Sequence, residues 1–410
     1  MKAVVFTLGC KVNGYESSTL ITGLKELGYE TSDKLEEADL YIINTCAVTA
    51  EAEKKSRQAV TRARKHNPFA KVIVCGCASQ HSPEAFKEKG VSLVTGALNK
   101  DKIIDIISED GVKIDESKEY YQKFSPASDV KTRTYIKVQD GCDNFCSYCL
   151  IPYLRGRSRS RKIESVIEEL KMLSPKEAVI TGINLSAFND EGKDLADLLF
   201  SLKDFDFRIR LGSLEDNVIT EKMLEATKAL KDFAPHFHLS LQSGSDKVLK
   251  EMNRKYTVEE FLSSVEKIRS FYPDAAITTD IISGYSTETE EDFLKTLETA
   301  EKAKFADIHC FSYSQRKGTF GARLKPLPDE VKKQRLARLM ELKANLKGEF
   351  LKAHESKILS FLPEDFVDGY TEGYTENYIK VYVPGLVAGD IKKIKIGEAF
   401  KEGAKATLID

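Results

Sequence analysis

Residues 141–161 read GCDNFCSYCLIPYLRGRSRSR, and this stretch decides how the chain is interpreted. Cys142, Cys146 and Cys149 lie within one short loop in a C-x3-C-x2-C arrangement. Three thiols this close cannot all form disulfides, because one is left over. Three thiolates can hold three corners of an iron–sulfur cube, which normally has four cysteine ligands. Because the next cysteine is Cys310, the loop predicts a cluster with one iron open to another ligand.

The composition is that of an ordinary globular protein without a general affinity for polyanions. The chain has 410 residues, of which 41% are hydrophobic, and a formal net charge of −2. This length predicts two or three domains, and any surface for nucleic acid must be local. The apolar run at residues 3–6 lacks a following small-residue cleavage site and does not resemble a signal peptide. Since no run approaches the ~18 apolar residues of a spanning helix, we expect a cytoplasmic protein with no membrane partner.

Residues 1–112 alternate strand and helix patterns and predict the first domain. Four β-rich runs, each followed by a segment of helical character, lie at residues 3–7, 40–43, 72–74 and 91–94. Continuous apolar strands that alternate with helices indicate an open parallel sheet covered on both faces. The fold class is therefore predicted as α/β.

Three cysteines follow strands of this predicted sheet. Cys10, Cys46 and Cys77 each stand where the chain turns from a strand toward a helix. Parallel strands end at one edge, where open α/β sheets bind ligands, so the placement predicts a second three-cysteine cluster. A free cysteine is also commonly a small buried hydrophobe, and we interpret Cys75 and Cys310 in that way. In a reducing compartment, cysteines serve more often as metal ligands than in disulfides.

A second series of strands and helices begins near residue 134, after a polar segment at residues 113–133 that is interpreted as a linker. Candidate strands lie at residues 135–139, 178–182, 207–211, 236–241, 276–282 and 305–311. Six βα units without obvious closure predict an incomplete (β/α)6 barrel over residues 128–350. Such barrels carry their chemistry at the carboxyl ends of the strands. The cysteine loop at 142–149 follows the first strand and is therefore correctly placed for chemistry.

The composition changes in the last part of the chain. After a charged helical run at about 332–352, residues 351–410 contain short strands rich in Tyr, Gly and Val. This composition predicts a small C-terminal β-barrel. Such a barrel serves either RNA binding or packing, and its residues alone leave both roles open.

The motifs together resemble those of a known enzyme family. The C-x3-C-x-aromatic-C loop, in which Tyr148 is the aromatic residue, resembles the signature of the radical S-adenosylmethionine (radical SAM) enzymes. IPYLRGRSRSR after this loop and TLGCKVNGYES at residues 7–17 resemble the methylthiotransferase branch, over nearly the whole chain. Lys11 to Asn13 point within that branch to the tRNA enzymes specific for threonylcarbamoyladenosine. Residues 372–378 resemble the RNA-binding TRAM module.

The resemblance implies two 4Fe-4S clusters and S-adenosylmethionine as cofactors. The two cysteine trios would hold the clusters, and S-adenosylmethionine would lie along the strand ends of the barrel. The implied contacts to S-adenosylmethionine come from Tyr148, Gly182, Asn184, Ser213, Glu215, Gln242, Ser243, Gly244, Asp280 and Gly284. After Gly284 the family usually has Phe-Pro-Gly-Glu-Thr, whereas this chain has Tyr-Ser-Thr-Glu-Thr. Without the Pro-Gly turn this loop is less constrained.

The implied reaction is methylthiolation of carbon 2 of N6-threonylcarbamoyladenosine next to the tRNA anticodon. One S-adenosylmethionine would methylate a sulfur on the auxiliary cluster, and a second would drive radical transfer with an electron from a cellular donor. The target base must leave its stack to reach the cysteines, which an anticodon loop permits at low cost.

Two basic stretches fit an RNA partner. Arg155, Arg157, Arg159 and Arg161 follow the cysteine loop and are predicted to contact phosphates beside the target base. The predicted helix after Cys46 carries a second basic set whose role stays open, because solvated charged faces are common. This set comprises Lys54, Lys55, Arg57, Arg62, Arg64 and Lys65.

Two alternatives remain at this level. Within the same family, the substrate is isopentenyl-adenosine in tRNA or an aspartate of a ribosomal protein. In another class, the chain is a non-catalytic RNA-binding protein whose cysteines bind structural zinc. Zinc prefers a closed site of four ligands, and neither trio has an evident fourth partner.

Overall fold

The computed structural model describes residues 1–98, 100–115, 132–387 and 389–409. In these ranges the chain forms an open parallel sheet, an open α/β barrel and a small closed barrel, which confirms the predicted fold class. None of the described helices is long and apolar enough to cross a lipid bilayer. The predicted linker at 113–133 and the predicted domain start at residue 128 lie largely outside the described residues.

The first unit is a parallel sheet in the order β2-β1-β3-β4-β5-β6. Its strands are β1 (Lys2–Thr7), β2 (Glu30–Ser32), β3 (Leu40–Thr45), β4 (Lys71–Gly76), β5 (Leu93–Thr95) and β6 (Gly111–Lys113). Its helices are α1 (Lys11–Glu26), α2 (Ala50–His66), α3 (Cys77–His81) and α4 (Glu84–Lys87). All six residues of β3 are buried, as expected for a strand covered on both faces. Thr49 starts α2, because its side chain accepts from the Ala52 N–H.

The second unit is an open barrel with six parallel strand positions. Its strands are β7 (Arg133–Asp140), β8 (Arg159–Ser160), β9 (Glu177–Gly182), β10 (Arg208–Leu211), β11 (Ser213–Leu214), β12 (His236–Leu239), β13 (Ala276–Ser283) and β14 (Asp307–Ser312). Its helices are α5 (Ile151–Arg155), α6 (Ile163–Leu173), α7 (Leu195–Ser201), α8 (Glu221–Ala229), α9 (Asp246–Glu251), α10 (Val258–Phe271) and α11 (Glu290–Ala303). Gly212 separates β10 from β11 within one strand position, and the short β8 pairs antiparallel to β7. Capping boxes start α7, α10 and α11.

The third unit is a closed five-stranded barrel that follows the long helix α12 (Asp329–His354). Its strands, in the closed order β15-β16-β17-β19-β18, are β15 (Ile358–Val367), β16 (Tyr370–Thr375), β17 (Lys380–Pro384), β18 (Lys392–Phe400) and β19 (Gly403–Leu408). Arg210 of the open barrel donates to the carbonyls of Thr375 and Glu376, each at 3.1 Å. His236 also stacks on Tyr378 with ring centroids 4.2 Å apart. These buried contacts fix the closed barrel to the open one.

Candidate active site

Cys10, Cys46 and Cys77 lie together at the carboxyl edge of the N-terminal sheet. Cys10 directly precedes α1, Cys46 follows β3, and Cys77 begins α3. The thiols of Cys77 and Cys10 act electrostatically on the Cys46 thiol, and burial raises the pKa of Cys46 to about 11. The structure thus brings together the three cysteines that the sequence placed at one edge.

Glycine before a cysteine permits the backbone turns at two of these three positions. Gly9 and Gly76 precede Cys10 and Cys77 and have φ values of 109° and 108°, which favour glycine. A Cβ on Gly76 would lie 2.4 Å from the Thr45 carbonyl oxygen, so no other residue fits without a shift. The strand therefore ends abruptly, and the next residue starts a helix.

The second cysteine trio occupies the loop between β7 and α5. Cys142 and Cys146 both act electrostatically on the Cys149 thiol, and burial raises the pKa of Cys149 to about 12. The Ile151 N–H lies 3.4 Å from Cys149 Sγ, and Arg254 Nη1 lies 3.6 Å from Cys146 Sγ. Sulfur atoms that bear negative charge are stabilised by such donors.

The spacing of both trios fits a multi-iron cluster better than a single ion. Ligands on one tetrahedral zinc lie about 3.8 Å apart, because each Zn–S bond is about 2.3 Å. Among the residues that the structure describes, the ligand atoms of His238, Asp280 and His309 lie within 4.8 Å of one another, and neither cysteine trio meets that limit. Three more widely spaced thiols, with no fourth cysteine grouped with them among the described residues, could supply three of the four donors of a 4Fe-4S cube.

Arg155 connects the two trios. Its side chain is fully buried, and its Nε lies 3.4 Å from Cys77 Sγ. Its Nη atoms donate to Glu16 at 2.9 and 3.0 Å and to Asp140 at 3.1 Å. The Cys77 thiol also acts electrostatically on Cys149. Because Arg155 follows the cysteine loop on α5, this contact places the two cysteine trios beside each other.

The charges around Arg155 form a buried network between the N-terminal sheet and the barrel. Lys137 Nζ lies 2.7 Å from Glu16 and 2.7 Å from Asp140, and Lys100 pairs with Glu16. Although burial opposes ionisation, Lys137 and Arg155 lower the pKa of Asp140 to about 2. With Arg159, which lies 3.4 Å from Asp140, the network sets four cations against two carboxylates. The remaining positive charge would stabilise the negative charge of a Cys77 sulfur that coordinated a metal.

The prediction that all four arginines after the loop contact RNA is wrong for Arg155 and Arg161. Arg155 is buried in the network, and Arg161 is only 7% exposed and pairs with Glu169. Arg159 is largely buried and donates to main-chain carbonyls and Asp140. Arg157 is the member of this set that faces solvent, with 66% of its side chain exposed.

Two of the residues expected to contact S-adenosylmethionine lie beside the cysteine loop. Asn184 Nδ2 lies 3.8 Å from Cys142 Sγ and 3.4 Å from Glu215. Arg254 Nη1 pairs with Glu215 at 2.9 Å, so this arginine joins the group although the sequence analysis missed it. Its segment, Met-Asn-Arg-Lys-Tyr, follows α9 and carries no local signal beyond ordinary charge. The group offers both a carboxylate and a guanidinium next to the cysteines.

Tyr148 lies within the cysteine loop, and Gly182 ends the neighbouring strand β9. Burial raises the pKa of Tyr148 well above its usual value, and the neighbouring Cys146 adds to the effect. A Cβ on Gly182 would lie 2.9 Å from the Gln139 side chain, so the glycine permits close packing there. Ser213 is exposed, and no hydrogen bond joins it to the loop among the described residues.

Other expected contacts serve the scaffold. Ser243 shares a 3.3 Å hydrogen bond with Thr296, and a Cβ on Gly244 would lie 2.6 Å from the Thr296 Cα, so both pack against α11. Gln242 adopts a left-handed conformation with φ of 65°, and its backbone N–H donates to the Asp280 carbonyl at 2.8 Å. The Asp280 carboxylate itself belongs to a different group in the barrel interior, described below.

The departure after Gly284 is accommodated by a specific contact. Gly284 has φ of 77°, and its N–H donates to Glu288 at 2.8 Å. Tyr285 is fully buried, and its hydroxyl lies 2.7 Å from the hydroxyl of Ser147 in the cysteine loop. The substituted segment thus supports the loop directly.

Comparisons with known proteins agree with this geometry and define the class of protein to which the chain belongs. Residues 136–300 match the radical SAM superfamily, and residues 2–96 match a family described as uncharacterized protein family UPF0004. The radical SAM methyltransferase TsrM from Kitasatospora setae superposes with a TM-score of 0.54 at 15% identity, covering 76% of this chain and 75% of that one. At such identity the superposition shows a shared fold. The chain is thus a radical SAM protein.

Curated relatives narrow the class. The threonylcarbamoyladenosine tRNA methylthiotransferase MtaB of Bacillus subtilis is 39% identical over 89% of this chain and 85% of its own length. A tRNA-2-methylthio-N(6)-dimethylallyladenosine synthase of a Thermoanaerobacter species is 37% identical over 87% of this chain and 81% of its own length. This chain belongs to the radical SAM tRNA methylthiotransferase family, and it is an enzyme rather than a zinc-stabilised binding protein.

Proposed function

We propose that the enzyme methylthiolates carbon 2 of N6-threonylcarbamoyladenosine next to the anticodon of tRNA. The observation that carries this proposal is the meeting of two cysteine trios across Arg155, whose Nε lies 3.4 Å from Cys77 Sγ. A methylthio transfer needs a radical source and a sulfur source within reach of one base. Two adjacent trios, each of which would leave one iron of its cluster open, suit that requirement.

The residues of each trio would hold one 4Fe-4S cluster. When bound, the clusters supply the electron that cleaves S-adenosylmethionine and the sulfur that is transferred. The chain itself supplies the cage: Cys142, Cys146 and Cys149 on the barrel loop, and Cys10, Cys46 and Cys77 on the sheet edge. Main-chain and side-chain N–H groups directed at these sulfurs stabilise their ligand form.

Glu215 and Arg254 suit the methionyl end of S-adenosylmethionine. An ammonium group pairs with a carboxylate such as Glu215, and a carboxylate pairs with a guanidinium such as Arg254. The two side chains are 2.9 Å apart and adjoin Cys146 and Cys142 through Arg254 and Asn184. They would orient the cofactor toward the cysteine loop. Among the expected contacts, Glu215 and Asn184 have the strongest support, because they lie beside the cysteine loop and each other.

Exposed cations of the chain fit a tRNA partner. Arg157 projects beside the cysteine loop, and Lys392, Lys393 and Lys395 are exposed on β18 of the closed barrel. Phosphates of an anticodon arm would pair with such groups. The closed barrel would act as an RNA-binding module. The proposed reaction also needs a cellular electron donor, and a tRNA substrate supports a cytoplasmic location.

The substrate is tested by nucleoside mass spectrometry of tRNA from a deletion strain. We expect the methylthio derivative of threonylcarbamoyladenosine to disappear and to return when the wild-type gene is restored. The relatives named for threonylcarbamoyladenosine support this expectation. An unchanged level of that nucleoside, with loss of the methylthio-dimethylallyl nucleoside instead, would overturn it.

A further inference from the structure

Lys11 places a cation of the N-terminal sheet toward the interior of the open barrel. It is the first residue of α1 and directly follows Cys10. Its ammonium lies within electrostatic range of Arg210 on β10, Arg133 on β7 and Asp280 on β13. Lys11 therefore lies between the auxiliary trio and the barrel strands, in the region where a nucleoside would approach Cys10.

The protein provides no counter-ion for this lysine. Lys11 forms no hydrogen bond or ion pair with any part of the chain that the structure describes. The Asp280 carboxylate already accepts from His309 at 3.0 Å and lies 3.3 Å from His238 Nε2. Glu177 likewise forms ion pairs, at 2.8 Å from Arg133 and 2.8 Å from Arg210. The carboxylate that acts on Lys11 and the carboxylate shared by its two neighbouring arginines are thus paired with other side chains.

A half-buried ammonium without a partner favours an anionic ligand. Removing a charge from water is costly unless an opposite charge replaces the lost hydration. The positive charges of Arg133 and Arg210 increase that preference for an anion, because they repel Lys11. The ligand expected here is therefore a carboxylate or another small anion, and not a hydrocarbon group.

The two substrate types named for the relatives differ in this property. A threonylcarbamoyl group carries a carboxylate, whereas a dimethylallyl group is a hydrocarbon. Carbon 2 and carbon 6 of adenine both flank N1, so a base that presents carbon 2 to the Cys10 trio directs its N6 substituent along the same edge. Lys11 follows Cys10 directly and is placed to meet that substituent.

We infer that Lys11 binds the carboxylate of the N6 substituent and selects threonylcarbamoyladenosine over dimethylallyladenosine. This inference rests on the proposed function, because it names the group that reads the proposed substrate. The lysine favours the proposed substrate because it pairs with the carboxylate. It also disfavours an apolar substituent, because binding that substituent removes water from the ammonium group without supplying a new partner.

The test compares RNA binding by the reconstituted enzyme under anaerobic conditions. The probes are four fluorescent anticodon stem-loops that carry threonylcarbamoyladenosine, its threonine methyl ester, dimethylallyladenosine or adenosine. We expect wild-type enzyme to bind the free acid about 10- to 100-fold more tightly than the methyl ester, the range expected of a hydrogen bond between charged groups. Lys11→Met should lose this ratio, and Lys11→Arg should retain most of it.

Two controls separate selection from general damage. Lys333→Met removes an exposed cation from α12 and should leave the ratio unchanged. Iron content reports whether Lys11→Met disturbs the neighbouring Cys10 site. If it does, the ratio of affinities for acid and ester is taken from Lys11→Arg instead.

The outcomes distinguish this inference from the proposed function. Equal affinity of wild-type enzyme for acid and ester, with methylthiolation of the acid intact, would overturn the role of Lys11 and leave the proposed reaction standing. Unchanged discrimination in Lys11→Met would do the same. Failure of wild-type enzyme to methylthiolate the acid, with activity on the dimethylallyl stem-loop, would instead reject the proposed substrate.

Discussion

Replacing Arg155 by methionine removes the guanidinium that joins the sheet, the barrel and Cys77. This buried group donates to Glu16 at 2.9 and 3.0 Å, to Asp140 at 3.1 Å and toward Cys77 Sγ at 3.4 Å. Removing one partner of a buried ion pair costs about 3–5 kcal/mol. We expect a loss of about 3 kcal/mol in the free energy of unfolding, because two lysines still neutralise Glu16.

Urea unfolding of the metal-free protein, followed by circular dichroism, measures this loss. Iron content after anaerobic reconstitution gives a second readout. We expect Arg155→Met to bind about half the iron of wild type, because the donor that orients Cys77 is lost while the other trio keeps its own donors.

Arg157→Met is the matched control for Arg155→Met. Arg157 lies two residues away and is 66% exposed in its side chain, where it pairs with Asp143 and lies over the Phe145 ring. Its replacement should therefore cost about 1 kcal/mol or less. If Arg155→Met unfolds within about 0.5 kcal/mol of wild type, as a surface substitution does, and retains its iron, the buried network does not have the role assigned to it.

Three further predictions address the loop, the reaction and the pH dependence. Cys149→Ala should abolish formation of 5′-deoxyadenosine from S-adenosylmethionine. Cys10→Ala should retain some cleavage of S-adenosylmethionine but form no methylthio product, as measured by chromatography. Methylthio product in either variant contradicts the assignments. Burial raises the pKa of Asp216 from 3.8 to about 6, so the native chain holds an extra proton and the free energy of unfolding should fall as the pH rises through that interval. Urea titrations of Asp216→Asn should lack this fall and show a more stable protein at neutral pH. Tyr285→Phe leaves the buried Ser147 hydroxyl without its 2.7 Å partner and should cost about 1 kcal/mol in the same titration; an unchanged midpoint would mean that the hydroxyl does not support the loop.

Strands and cysteine positions could be predicted because their signals are local. A run such as Leu40-Tyr41-Ile42-Ile43 is apolar along its whole length, which indicates a strand buried on both faces. The edge position of Cys10, Cys46 and Cys77 then follows from parallel topology alone. Nothing distant in the sequence is needed for either step.

The fate of individual polar side chains depends on distant partners and could not be predicted. Arg155 and Arg157 are two residues apart, yet one is buried against Glu16, 139 residues earlier, and the other is exposed. Helix α5 is only five residues long, so no helical periodicity marks its inner face. Arg254 meets Cys146 across 108 residues, and the charged segment around it gives no sign of that contact.

The different environments of Cys75 and Cys77 do not follow from strand alternation. A residue two positions from Cys77 belongs on the same face of a continuous strand. Gly76, however, has φ of 108° and ends the strand there. Cys75 packs with the core under α1, whereas Cys77 packs with the core on the other face of the sheet. One glycine therefore separates a structural cysteine from a candidate ligand.

The contact between the two barrels has a consequence for the distance along the RNA between its binding site and the modified base. Arg210 donates hydrogen bonds to the carbonyls of Thr375 and Glu376. The closed barrel therefore cannot rotate relative to the cysteine loop without breaking these buried hydrogen bonds. Any nucleotide held on the lysines of β18 then stands at a set offset from the reacting base. Adding or removing one base pair in the stem should therefore displace the modified position, and the molecule that bends to compensate must be the RNA.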